Sequence, residues 1–419
     1  MYRSSIASEA WIAKDLEDVA RGDKTVIVID SQRDLINNIL AAKHLPPEKI
    51  VLIDPEDIGF PVSLNLFSVG QERLGDYDAL EQERLTNSII ELYDFVLGSL
   101  LSAGMTSKQS TLFRYVTRLM FHIPDATIHT LVRLMEPDGA EEFSEHIAKL
   151  SGTPRRFFET EFSSKEFAAT KTQVLRRIYG VLENQTFERM FTHPKSKLDM
   201  FTEMNEGKLI LVNTSKALLK EQGTEIFGRF FIALIAQAAQ ERANLHAIDR
   251  LPVMVYVDEA ADYFDQNIGI ILSQARKYNV GMTMAHQYLG QLKSGLAEAF
   301  EANTSIKLAG GVSSRDAKAL APQMSCDSAL IQDQSKGGYA AFVRGYTKRA
   351  VPISFPFFVM ENMVRSTKSE RDAIRQHSRN RYAEPLLTKI AHSDTKPEKP
   401  RDDSEKFDGE DPTNPSPDL

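Results

Sequence analysis

Four short runs in this chain are apolar at nearly every position rather than at every second one. They are Thr25–Ile29 (TVIVI), Ile50–Ile53 (IVLI), Leu209–Val212 (LILV) and Val253–Val257 (VMVYV). A strand of that kind has no face to give to water, so it belongs in a sheet covered on both sides, as parallel sheets are. The stretches between the runs have helical spacing. Gln32–Ala42 sets Leu35, Ile36, Ile39 and Leu40 on one side, and Thr224–Arg242, Gln266–Tyr278, Tyr288–Ala302 and Ser313–Ala321 read likewise. Further strand-like runs fall at Gly281–Ala285, Ile306–Leu308, Tyr339–Val343 and Ala350–Ile353. Strand, helix, strand with short connections predicts βαβ units, with Thr25–Ile29 and Ile50–Ile53 in parallel pairing. The whole predicts an α/β protein with a doubly wound, mostly parallel sheet.

The strand signal vanishes between Tyr77 and Met200, where Ala79–Leu101, Ser110–Phe121 and Lys165–Glu183 are long and amphipathic. The expected organisation is an α/β domain in two parts, residues 1–76 and 201–360, divided by an all-helical insertion at 77–200. A charged surface helix follows in 361–390. From Ser393 onward nine acidic residues face four basic ones among five prolines, so 391–419 is expected to be a disordered tail. Over 419 residues, 50 Lys and Arg oppose 58 Asp and Glu, a net charge of −8. That balance does not suggest a nucleic-acid partner, so such a claim must rest on local features. One cysteine, Cys326, excludes an internal disulfide. No apolar run approaches the ~20 residues of a membrane-spanning helix, and the N-terminus lacks a secretory signal's apolar core. The chain reads as soluble, with no membrane contact of its own.

The most specific local pattern is Leu251–Ala260 (LPVMVYVDEA), a buried-type strand stopped by Asp258-Glu259. Acids at the carboxyl end of a parallel strand stand where α/β proteins bind ligands. This is the layout of a Walker B element, in which the first acid holds a nucleotide's Mg²⁺ and the second polarises the attacking water. The bland alternative is a strand ending in a solvated acidic turn. Gln287 follows Asp258 by 29 residues, one helix-and-strand unit later. Adjacent parallel strands would then bring Asp258, Glu259 and Gln287 to one edge. Arg276, near a helix end, suits either the helix dipole or an arginine finger for a neighbouring subunit's nucleotide. The nine histidines form no metal-binding pattern.

The run LPVMVYVDEA…LSQARKYNVGMTMAHQ resembles the motor domain of type IV secretion coupling proteins. These are the TraD/TraG-type conjugation ATPases, within the HerA/FtsK class. Glu206–Lys216 (EGKLILVNTSK), Val26–Leu35 (VIVIDSQRDL), Phe60–Phe67 (FPVSLNLF) and Gly337–Gly345 (GGYAAFVRG) resemble other family stretches in consistent order. The resemblance implies a RecA-like domain with an all-α insertion, assembling as a homo-oligomeric ring, a hexamer, around DNA. It implies ATP and Mg²⁺ as cofactors. By position Asp258 is the Mg²⁺ acid, Glu259 the catalytic carboxylate, Gln287 the sensor and Arg276 the trans-acting finger. The implied partners are single-stranded DNA with its relaxase and relaxosome proteins, and components of the secretion channel. The implied location is the bacterial cytoplasm, at the inner face of the membrane.

One departure stands against these agreements. The family's phosphate loop, GxxxxGK[ST], is expected shortly before Val26 and has no match. The chain's one Gly-Lys pair, Gly207-Lys208, is followed by Leu209, and Gly104–Lys108 (GMTSK) lacks a preceding strand. Three expectations follow: the loop and a membrane anchor lie upstream of Met1, a separate chain supplies the loop, or it has decayed. This chain alone is expected to bind ATP no tighter than the millimolar range. The alternative functions are a non-catalytic module docking on relaxosome or secretion components, and a HerA/FtsK-like DNA translocase.

Overall fold

The computed structural model describes residues 3–43, 45–68, 70–100, 106–263, 276–292 and 296–386. The tail at 391–419 and most of the helix expected over Gln266–Tyr278 lie outside them. The apolar runs form β1 (Thr25–Asp30), β2 (Ile50–Ile53), β3 (Leu209–Asn213) and β4 (Val253–Val257). With β5 (Val280–Met284) they make a five-stranded sheet, parallel throughout, in the order β2-β3-β1-β4-β5.

Alternate residues of each strand enter two different cores. Val26, Val28, Leu209, Leu211 and Tyr256 face one side, with Ile12, Leu16 and Val19 of α1 (Arg3–Arg21) and Leu35, Ile36 and Ile39 of α2 (Asp34–Ala41). Ile27, Ile29, Val212, Val255 and Val257 face the other, where Phe227 and Phe231 of α12 (Lys216–Glu241) cover them. Each fully buried Val or Ile contributes about 1.5–3 kcal/mol, which is why such runs are confined to a doubly covered sheet. Helix α12 is broken at Lys220, whose φ is 59°.

Between β2 and β3 the chain is helical. The segment holds α3 (Ala79–Leu100), α4 (Ser107–Met120), α5 (Ile128–Met135), α6 (Gly139–Glu142) and α7 (Ser144–Ile147). It continues with α8 (Gly152–Thr160), α9 (Lys165–Leu182), α10 (Gln185–Phe191) and α11 (Met200–Asn205). Its core is continuous with one face of the sheet, joining Leu112, Phe157 and Phe162 to Ile29 and Val212.

Three expectations are corrected. β1 and β2 are parallel but do not pair, because β3, which arrives after the helical stretch, inserts between them. The later runs form a separate antiparallel sheet, β6 (Ile306–Ala309), β7 (Gly338–Val343) and β8 (Val351–Ser354). A turn as short as that from β7 to β8 permits only antiparallel pairing. The helix expected over Tyr288–Ala302 is instead a 3₁₀ turn at Leu289–Gln291 and α13 (Leu296–Asn303). Two short helices, α14 (Ser314–Leu320) and α15 (Ser328–Gln332), lie between β6 and β7. The Ser313 hydroxyl caps α14 by accepting from the Asp316 N–H at 3.1 Å.

The charged helix α16 (Lys368–Tyr382) contacts β2 rather than lying free on the surface. Its Ser378 hydroxyl accepts from the Leu52 N–H at 3.2 Å, and Ile374 and Tyr382 are buried. The helix thereby covers an edge that would otherwise present unpaired backbone groups. No helix among the described residues is long and apolar enough to cross a membrane.

Candidate functional site

Strand register sets the site. Val257 pairs with Ile29 on one side and Met284 on the other, so the residues after these positions emerge at one rim of the sheet. The ladder continues one step further, with the Asp258 N–H donating to Ile29 O at 3.0 Å and the Ala260 N–H to Ala285 O at 2.7 Å. Across the rim stand Asp54 after β2, Asn213 ending β3, Asp30 ending β1, Asp258-Glu259 after β4 and Gln287 after β5. The structure thus brings Asp258, Glu259 and Gln287 together. Gln287 Nε2 donates to Glu259 Oε1 at 2.7 Å.

Glu259 is buried and has a left-handed backbone, φ 48° and ψ 49°. A non-glycine residue held there is strained by about 1–3 kcal/mol, and such strain clusters at functional sites. Asp258 differs from an ordinary surface acid. Burial, then the charges of Asp30 and Glu259, push its carboxyl up to about 7. Its Oδ1 is out of reach of solvent and has no hydrogen-bond partner among the described residues. Asp30, fully buried, is also raised by burial, partly offset by the N–H groups of Ile36 and Gln32 at 3.1 and 2.8 Å. Burial pushes the neighbouring His286 imidazole down, leaving it neutral at pH 7.

Supporting groups hold the rim in place. Asp262 accepts from Lys216 Nζ at 2.8 Å and from the Ser31 hydroxyl at 3.0 Å. Thr214 Oγ1 lies 3.1 Å from Asp30 O and 2.6 Å from the Tyr263 hydroxyl. Arg229 Nε donates to Tyr263 O at 2.9 Å. Sequence reasoning gave no role to Asp30, Asp262 or Lys216. A signal for Asp30 was present, since it too ends a buried-type strand, but its place beside Asp258 depends on strand order.

Arg276 is not at this rim. It opens a 3₁₀ turn, Arg276–Tyr278, at the start of β5, and so lies at the opposite edge of the sheet, exposed. The turn is clamped. Fully buried Arg242 donates from Nη1 to Tyr278 O at 2.9 Å, and Arg250 Nη1 donates to Lys277 O at 3.0 Å.

A metal-bound nucleotide suits part of this arrangement. A carboxyl group with an orphaned buried oxygen and a raised pKa suits one ligand of a divalent cation, and no three ligating side chains converge on a metal position among the described residues. Asp258 would hold Mg²⁺, with Asp30 and Glu259 adding negative field. No GxxxxGK[ST] loop for cradling phosphates occurs in the sequence.

A parallel sheet with helices on both faces and acids at the carboxyl ends of its strands defines a doubly wound α/β protein whose ligand rim lies at those ends. More particularly, the fold is that of the conjugative coupling protein TrwB. TrwB solved with ADP and Mg²⁺ superposes with a TM-score of 0.55 at 13% identity, over 88% of this chain and 85% of that one. TrwB with the GTP analogue GDPNP gives 0.55 at 13% identity, over 84% and 82%. Unbound TrwBdeltaN70 gives 0.54 at 13% identity, over 84% and 81%. At that identity the likeness establishes a shared fold. No protein-family model matches the sequence, and no curated protein matches it in sequence.

Proposed function

We propose that this chain is the motor core of a type IV secretion, conjugation-type coupling ATPase, moving DNA or a nucleoprotein toward a secretion channel. The observation that carries the reading is the meeting of Asp258, Glu259 and Gln287 at one rim of a TrwB-like fold. Mg²⁺ bound with ATP would neutralise charge on the transferring phosphoryl group. Asp258 is the residue that holds it, its raised proton affinity marking how much the rim gains from a cation. Glu259 is the base that orients and polarises the attacking water. Gln287, hydrogen-bonded to Glu259, ties that base to β5 and serves as the sensor. Arg276, at the far edge, acts on the nucleotide of the next subunit in a homo-oligomeric ring, a hexamer. Single-stranded DNA with relaxosome proteins and the channel components are the partners, at the cytoplasmic face of the inner membrane. A HerA/FtsK-like translocase would share the site and differ in cargo.

A second reading has its own support: with no phosphate loop in the sequence, the fold would serve as a non-catalytic module docking on relaxosome or secretion components. Steady-state ATP hydrolysis with single-stranded DNA, on the protein with its phosphate loop supplied upstream or by a separate chain, separates the two. Glu259→Gln is expected to lower kcat by about 10²–10⁴-fold, and Arg276→Ala by about 10³-fold. Mixing the two inactive variants should restore part of the rate, because some interfaces then pair an intact Glu259 with an intact Arg276. Hydrolysis that survives Glu259→Gln refutes the assignment of Glu259 as the catalytic carboxylate. No DNA-stimulated hydrolysis even with a phosphate loop supplied leaves the docking module.

A further inference from the structure

One stretch of this acidic chain has charge of the opposite sign. Between Asp333 and Glu361 the sequence holds Lys336, Arg344, Lys348 and Arg349 and no acidic residue. Three of these four cations sit in the turn from β7 to β8, well apart in sequence from the acidic rim, and between them stands Tyr346, 90% exposed.

The turn is held in shape. Gly345 takes a left-handed φ of 81°, and the Thr347 hydroxyl accepts from the Val343 N–H at 3.0 Å. Arg344 donates to Glu301 O at 2.8 Å and Ala302 O at 3.1 Å, in the last turn of α13. Lys307 of β6 donates to Thr304 O at 3.1 Å beside it. Carbonyls at a helix C-terminus favour such cations but leave their net charge in place. Lys348 and Arg349 are exposed and make no ion pair among the described residues.

Lysine and arginine attract any polyanion, so the ring is the selective element. A tyrosine held almost wholly in solvent beside cations offers a flat face to a nucleobase. It offers little to a bare phosphate, and duplex DNA keeps its base faces stacked away. We infer that the β7–β8 turn contacts single-stranded nucleic acid, with Tyr346 stacking on a base while Lys348 and Arg349 follow the phosphates. The inference rests on the nucleic-acid part of the function proposed above and adds the residues that make the contact.

The test uses the full chain and three probes: a fluorescein-labelled oligo(dT) strand, a duplex of the same length, and phosphatidylserine vesicles. Anisotropy reads the nucleic acids and co-sedimentation reads the vesicles. Tyr346→Ala should weaken oligo(dT) binding about tenfold, and Tyr346→Phe should restore it. Replacing Lys348 and Arg349 together by Ala should lower the salt slope of log K by about 1.4, two phosphate contacts at ~0.7 each. Lys14→Ala, at an exposed site on α1, should change neither value. Unchanged melting temperatures establish that these surface variants fold. If the wild type binds oligo(dT) and Tyr346→Ala binds as well, the turn inference fails and the motor reading stands. If the wild type does not bind oligo(dT), the nucleic-acid reading and this inference fail together. Equal, equally Tyr346-dependent binding of duplex overturns the single-strand assignment, and Tyr346-dependent binding of vesicles alone overturns the nucleic-acid one.

Discussion

Asp258→Asn should make the protein more stable at high pH while removing its use for Mg²⁺. In the folded chain Asp258 keeps its proton to about pH 7, against 3.8 for an ordinary Asp. Between those values the folded state carries a proton that the unfolded state has already lost. Stability therefore falls as pH rises through this window and levels off above it. Each tenfold in proton affinity is about 1.4 kcal/mol, so the full penalty has a ceiling of about 4 kcal/mol. Asp258 is only partly buried as a residue, and solvent screening brings the expected figure to about 2–3 kcal/mol. Asparagine cannot ionise and escapes the penalty. Urea unfolding at about pH 4.5 and about pH 8 should show the stability of Asp258→Asn relative to wild type rising by that amount, with unchanged m-values. Mg²⁺ should raise wild-type stability at the higher pH and leave the variant unmoved. A difference that stays flat with pH, or falls as pH rises, would refute the claim that burial and the neighbouring acids hold this carboxyl neutral.

Asp30→Ala removes the acceptor for the Gln32 and Ile36 N–H groups, and should cost about 2–4 kcal/mol in urea unfolding, with Asp30→Asn losing less. Gly228→Ala would drive a Cβ into the Tyr263 ring, whose hydroxyl is held by Thr214. A drop of about 1–3 kcal/mol is expected by thermal melting. Gly180→Ala, which meets nothing within 4 Å, should instead stabilise by up to about 1 kcal/mol.

The parallel sheet was legible because runs such as Ile50–Ile53 and Leu209–Val212 leave no face for water, a constraint that acts locally. Gln287 could be placed beside Glu259 for a similar reason: one helix-and-strand unit returns the chain to the same rim. Asp30 could not be placed. Its nearness to Asp258 requires β1 beside β4, and β1 is cut off from β2 by a strand that arrives more than 150 residues later in sequence. Strand order is a long-range outcome of packing, which periodicity does not encode. The runs at Ile306, Tyr339 and Ala350 do form strands, but their place in a separate sheet was not legible. They are short and partly apolar like the others, and only the brevity of the Arg344–Ala350 turn marks them as antiparallel.

Arg276 shows how topology constrains assembly. β4 and β5 are parallel, so the chain leaving Asp258 at the carboxyl rim must travel back before entering β5. Arg276 lies just before that entry. The five residues of β5 rise about 3.3 Å each, which puts roughly 16 Å of sheet between the Arg276 turn and the rim. Arg242 and Arg250 hold the turn by its carbonyls, and Arg242 is itself fully buried, so local rearrangement does not close the gap. A joint action of Glu259 and Arg276 on one nucleotide therefore takes two copies, the carboxyl edge of one sheet facing the amino edge of the next. Such a contact is head-to-tail, and a head-to-tail contact repeated at a fixed rotation closes into a ring or runs on as a filament. The proposed ring is one of the two assemblies such a contact allows, and the restoration of activity on mixing Glu259→Gln with Arg276→Ala is the measurement that bears on it directly.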